Sequence, residues 1–174
     1  MVKIKTIMKK FKLLLLFVFV ASISCAQQKA SPRKVSEGTL NKVNVTIDYG
    51  SPSVKGRAVW ETLVPTGKVW RAGANENTTV TFDNDVTIGD GNLKAGKYGF
   101  FIIPNKDSDW VVIFSSKSDA WGSNGYSQEN DVVRVKVTPT FVENNQEGLM
   151  FSVGKGSIDF AWEKARLSIP VSTK

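Results

Sequence analysis

There is no histidine anywhere in this chain of 174 residues, and only one cysteine. The first absence removes the Ser-His-Asp and Cys-His mechanisms and the histidine general base. It also removes nearly every catalytic zinc site, since those draw on His and Cys. With a single thiol no intramolecular disulfide can form, so stability has to come from a hydrophobic core. Glycine loops of the forms G-x-x-x-x-G-K-[ST] and G-x-G-x-x-G after a strand are missing too, which leaves nucleotide binding of those types without support. No long segment of the body of the chain carries a helical apolar period; Ala58 to Leu63 makes one helical turn at most. Carboxylate-pair catalysis of the glycosidase kind survives this filter. Any β protein with 16 acids offers some pair, however, and solvated surface carboxylates account for them.

What is present begins with an unusual N-terminus. Lys3, Lys5, Lys9, Lys10 and Lys12 form a basic head, Leu13 to Val20 is an unbroken apolar run, and small residues follow at Ser22, Ser24 and Ala26. That is the order of a secretory signal, and the apolar run falls well short of the roughly 20 residues that span a bilayer. Residues 1–26 are therefore expected to be a cleavable signal peptide, with the mature chain exported to the periplasm or outer membrane. Two processing schemes fit. Ser24 and Ala26 suit cleavage before Gln27; alternatively Cys25 is the lipidated residue of a lipoprotein, although the usual Leu three positions earlier is missing. Membrane association is expected only through such an anchor.

The signal also distorts the charge. The chain has 23 Lys and Arg against 16 Asp and Glu, but five of the lysines and none of the acids precede Cys25, so the remainder carries 18 against 16, a net +2. No clustered basic patch is visible, which argues against a nucleic-acid partner.

Residues 27–41 read as a polar tether, and residues 42–174 as one domain. Within it Val43, Val45, Ile47 and Tyr49 alternate with Asn44, Thr46 and Asp48, the pattern of a half-buried strand. Further strands are expected at 78–82, 86–88, 98–103, 110–114, 131–138, 149–153, 158–162 and 165–171. The strands at 98–103 and 110–114 are apolar on both faces and belong at the centre of a sheet. Asp90-Gly91-Asn92 closes a hairpin. About nine short antiparallel strands with frequent turns predict an all-β, jelly-roll-like sandwich, with an open barrel as the alternative. Asp83-Asn84-Asp85 and Asp90-Gly91-Asn92 fail the EF-hand spacing and read as turns, so no metal is expected, and no cofactor.

Residues 49–77, YGSPSVKGRAVWETLVPTGKVWRAGANEN, form a long connection rich in Trp, Arg, Asn and Glu. Long ordered loops on β scaffolds are often functional. Arg57, Trp60, Trp70, Arg71, Asn75 and Glu76 are its candidate ligand-binding residues, because Arg beside Trp suits stacking together with forked hydrogen bonds to a carboxylate or phosphate. The structural alternative is that Trp60 and Trp70 plug the end of the sandwich and Arg71 pairs with Glu76 or Glu61. Trp110 and Trp162 read as core. Trp121 and Tyr126, in a Gly/Asn-rich loop, are candidates for a pocket mouth or for packing.

The blocks YGSPSVKGR, VPTGKVWRAGANENTTVTF and LKAGKYGFFIIP, a W-V-V-I-F strand and a late AWG…Y loop resemble the family catalogued as domain of unknown function 2911. The resemblance runs from Tyr49 to about Trp162. It implies an exported protein of a kind abundant in Bacteroidota and brings no established activity. Its signature blocks fall on residues 51–57 and 70–79, the same loop. The leading expectation is a non-enzymatic envelope module that binds a glycan or other small polar ligand. The rivals are an enzyme of unrecognised type built on Arg57, Arg71, Asn75 and Glu76, and a structural partner of another envelope protein.

Overall fold

A computed structural model describes residues 30–173. The expected signal peptide and Cys25 lie outside the described residues. Eleven strands follow in order: β1 (Arg33–Leu40), β2 (Val43–Gly50), β3 (Thr78–Phe82), β4 (Val86–Ile88), β5 (Gly91–Leu93), β6 (Gly96–Ile103), β7 (Trp110–Ser115), β8 (Asp131–Val137), β9 (Thr140–Val153), β10 (Ser157–Pro170) and β11 (Ser172–Thr173). The single helical element among the described residues is a 3-10 turn at Gln128–Asn130. The protein is all-β, and every strand pairing is antiparallel.

One sheet has six strands in the order β1-β2-β3-β6-β7-β8; β9 and β10 form a ribbon, and β11-β4-β5 a small third sheet. The near-sequential order is that of a meander rather than the interlocked Greek keys of a jelly roll. The sheets do not close into a barrel. Alternate residues of the large sheet, such as Ile47, Val80, Phe100, Val112 and Val133, meet Phe151, Ile158, Phe160 and Leu167 from the ribbon in one continuous core. Edge-to-face rings knit the two layers, with Phe100 and Phe151 at 5.5 Å and Tyr49 and Phe151 at 5.0 Å. Two inward-facing layers around one apolar interior make the arrangement sandwich-like.

Three expectations are corrected. The tether stops short of Arg33: residues 33–40 form β1, paired over its whole length with β2. Its apolar alternation is faint because it is an edge strand, mostly exposed and held by backbone hydrogen bonds. The hairpin turn falls on Gly89-Asp90, since Ile88 pairs with Gly91 and Gly91–Leu93 is itself a strand. Gly89 takes φ 58°, the left-handed region in which glycine is at ease. Finally, the strands expected at 158–162 and 165–171 are one long strand up to Pro170. A register shift on either side of Glu163, which has φ 50°, interrupts the alternation.

The central strands are as expected. Of the fourteen residues of β6 and β7, ten are buried. Phe101 and Ile113 point away from the main core yet are buried, because the chain after β7 folds back over them. The Tyr126 ring lies 5.1 Å from Phe101. Ala58 to Leu63 contains a lone turn closed by the Leu63 amide on the Val59 carbonyl at 3.0 Å.

Candidate functional site

Residues 51–77 join β2 to β3 without a regular strand, but the segment is firmly held. The Val54 amide donates to the Glu147 carbonyl at 2.8 Å, and Gly67 to Pro104 at 2.8 Å. Trp70 and Ile102 exchange two backbone bonds at 2.8 Å, so the chain briefly continues the large sheet beyond the start of β3. Lys55, Glu61, Ala72 and Asn75 all have positive φ. Each such residue costs backbone energy that surrounding contacts must offset, and strained residues of this kind gather at functional segments. Ala72, fully buried at φ 49°, turns the chain so that the Thr78 hydroxyl reaches its carbonyl at 3.2 Å.

Four tryptophans meet beneath this segment. Trp70 stacks on Trp162 at 5.6 Å, and Trp60 stands edge-on to both, at 6.1 and 5.9 Å. Trp60 also leans on Trp110 at 4.7 Å. The Trp60 indole nitrogen donates to Glu163 at 3.2 Å, and that of Trp70 to the Gly73 carbonyl at 3.1 Å. The plugging role foreseen for Trp60 and Trp70 is therefore real. Their outer edges nonetheless border open space.

The space beside Trp70 is a cleft of about 200 Å3 whose wall includes Arg57, Leu63, Trp70, Arg71, Ala74 and Trp162. Among the described residues no carboxylate contributes to its lining. Arg57 is exposed, and one edge of its guanidinium is taken up by backbone carbonyls, with Nε donating to Val54 at 3.0 Å and Nη2 to Ser53. Arg71 is half-buried, and its Nε is shielded from solvent with no hydrogen-bond partner. Burial pushes its pKa below the ordinary value. Among the described residues none of the ion pairs involves Arg71, and Glu61 is held instead by Lys106 at 3.0 Å. The Trp162 indole nitrogen is likewise buried without a partner. Buried donors without acceptors are uncommon in folded proteins. Here two of them belong to residues lining one cleft.

The other candidates are dispersed around this centre. Asn75 donates to the Ser31 carbonyl at 3.3 Å, and Ser31 also lines the cleft. Glu76 is bridged by backbone to Trp121, and its carbonyl accepts from Arg33 at 3.3 Å. Trp121 is 64% exposed. Its neighbour Gly122 packs against Arg71: a Cβ built there would lie 3.4 Å from Arg71 Nη1. Trp121 thus stands beside the Arg71 end of the cleft. Tyr126 belongs to a separate network, donating to Asp131 at 2.8 Å with Arg134 near both. Burial and Asp131 push its phenol up to about 12. Trp60 mainly lines an adjoining cavity. Reading the residues in order placed Trp162 in the core, where it is, but gave no sign that it also walls the cleft; that follows from its stack with Trp70. Among the described residues no group of three or more Asp, Glu or Cys side chains is placed to hold a metal ion.

A family model described as a protein of unknown function, DUF2911, matches residues 31–171. The chain belongs to the DUF2911 family. No curated protein matches it, and no solved structure does. The match begins just ahead of β1 and ends just after β10, so the DUF2911 unit is the whole sandwich together with the 51–77 segment.

Proposed function

We propose that this DUF2911 protein is an exported, non-enzymatic binding module of the cell envelope that captures a small anionic ligand, a sugar acid or similar carboxylate, in the Arg57–Arg71 cleft. The observation that supports it is the unpaired Arg71 guanidinium. It is half-buried, lowered in pKa by burial, and faces a cleft wall that carries a second arginine and no carboxylate. Holding an unpaired cation out of water is unfavourable, and an incoming carboxylate supplies the missing acceptors. Trp70 and Trp162, 8% and 1% exposed, add apolar atoms to the wall behind the arginines. Drug-sized ligands occupy roughly 300–1,000 Å3, so about 200 Å3 suits a single small acid or sugar ring.

The test is calorimetric titration of galacturonate against neutral galactose, with tryptophan fluorescence as a second reading. Galacturonate is expected to bind and galactose not. The Arg71→Lys variant should lose about 1.5–3 kcal/mol of binding with the fold intact, because lysine lacks the planar fork. Equal affinities for the two sugars, or an unchanged affinity in the variant, overturn the assignment. Export rests on the N-terminal pattern of basic, apolar and small residues. Intact-mass measurement on native membrane and periplasmic fractions is expected to find a chain starting at Cys25 with lipid attached or at Gln27 without it. An unprocessed chain in the cytoplasm contradicts both.

A further inference from the structure

Trp60 borders a second cavity, of about 220 Å3, which it walls together with Phe141 and with Trp110, itself only 1% exposed. The rings are inclined to one another rather than stacked. Trp60 meets Trp110 at 58°, and Trp110 meets Phe141 at 74° with centroids 6.2 Å apart. Val64 and Pro104 complete the apolar lining. Phe141 is 54% exposed, so much of its ring is left in water by the fold alone.

The rim is acidic. Glu61 lies on this cavity, and Asp107 and Asp109 line the depression that adjoins it across Phe141 and Lys106. Among the described residues that line these two depressions, Lys106 is the one cation, and it lies on Glu61 at 3.0 Å with its side chain still 66% exposed. A primary ammonium is strongly hydrated, and this one stays on the carboxylate in solvent. A quaternary ammonium cannot donate hydrogen bonds, loses little by leaving water, and is attracted by the negative faces of aromatic rings.

We propose that the Trp60–Trp110–Phe141 cavity binds quaternary ammonium groups, with Glu61 supplying the counter-charge at the rim and Lys106 competing for it. This site stands on observations independent of the Arg57–Arg71 cleft and is separate from it.

Choline, ethanolamine and dimethylbutanol, the neutral carbon isostere of choline, are titrated into the full chain and followed by tryptophan fluorescence. Choline binds saturably, and ethanolamine and the isostere bind about 3- to 30-fold more weakly, the range a cation–π contact provides. Phe141→Ala weakens choline by several-fold, and circular dichroism checks that this half-exposed position leaves the fold intact. Glu61→Gln weakens it as well, whereas Lys106→Gln tightens it by freeing Glu61. Arg71→Lys leaves choline affinity unchanged, which separates this site from the carboxylate cleft. Equal binding of choline and its isostere reduces the cavity to a plain apolar pocket and overturns the proposal. So does choline binding that Phe141→Ala does not alter.

Discussion

Arg71 sets the residue-scale expectations. Among the described residues no ion pair offsets its partial burial, so on the proposed reading it serves the cleft rather than stability. Arg71→Met, which keeps the stem and removes the charge, should therefore leave the melting temperature unchanged or raise it, while abolishing carboxylate binding. Thermal unfolding with and without galacturonate checks both halves. A clear fall in melting temperature would mean that the guanidinium is structural after all. Such a trade of stability for function is common where a site needs an unsatisfied group.

Tyr126 gives a pH dependence with a definite sign. Its phenol, raised to about 12, loses its proton later in the folded than in the unfolded chain, whose tyrosines titrate near 10. The stabilisation is complete below about 10 and disappears as the pH climbs towards about 12, because only the unfolded chain gains by releasing the proton. Between those values wild type should lose stability more steeply than Tyr126→Phe. Denaturant midpoints compared at pH 9 and pH 11.5 test it. Parallel losses in the two proteins would assign the slope to other groups.

At the scale of elements, the close seating of the 51–77 segment against β2 decides the shape of the cleft. A Cβ at Gly50 would lie 2.0 Å from the Ala74 carbonyl oxygen, a backbone atom that cannot swing aside. Gly50→Ala must push the 72–74 turn away from the sheet. The expected cost is about 1–3 kcal/mol in denaturant unfolding, the usual penalty of overpacking, together with weaker ligand binding because Gly73 and Ala74 line the cleft. β1 makes a second case. Its Arg33 donates to Asp48 at 2.6 Å and to the Asn77 carbonyl at 3.0 Å, and Ser36 donates to the Phe151 carbonyl at 2.7 Å. A chain beginning at Ser31 should fold normally, whereas one beginning at Lys42 loses these bonds and exposes the β2 edge. Melting curves of the two truncations distinguish a strand from a tether.

Across the whole molecule, much was legible in advance and some was not. Antiparallel strands with one core followed from the period-2 runs, because a pleated chain sends neighbouring side chains to opposite faces. The burial of β6 and β7 on both sides followed from their unbroken apolar runs. β1 was hidden, since an edge strand needs few apolar residues, and β10 was split by the irregularity at Glu163. The candidate site was half visible. The segment rich in Trp, Arg and Asn stood out by composition, yet of the eight candidate ligand-binding residues only Arg57, Trp70 and Arg71 line the cleft, while Tyr126, outside that segment, serves a network of its own.

By itself the sequence determined that no histidine is at hand, the single apolar core, most of the strands and the DUF2911 resemblance. All of these are written in residue types or in intervals of a few residues, where side-chain periodicity and turn preference act directly. The tertiary structure alone decided that Lys106 takes Glu61, so that among the described residues Arg71 has no counter-ion, and that Trp162 joins Trp70 in the cleft wall. It also decided that Trp60 is steadied by Glu163, 103 residues further along the chain. Those outcomes depend on which strands lie beside which and on the two register shifts that flank Glu163 in β10. Pairing over such distances is set by the fit of the whole core, not by any local pattern.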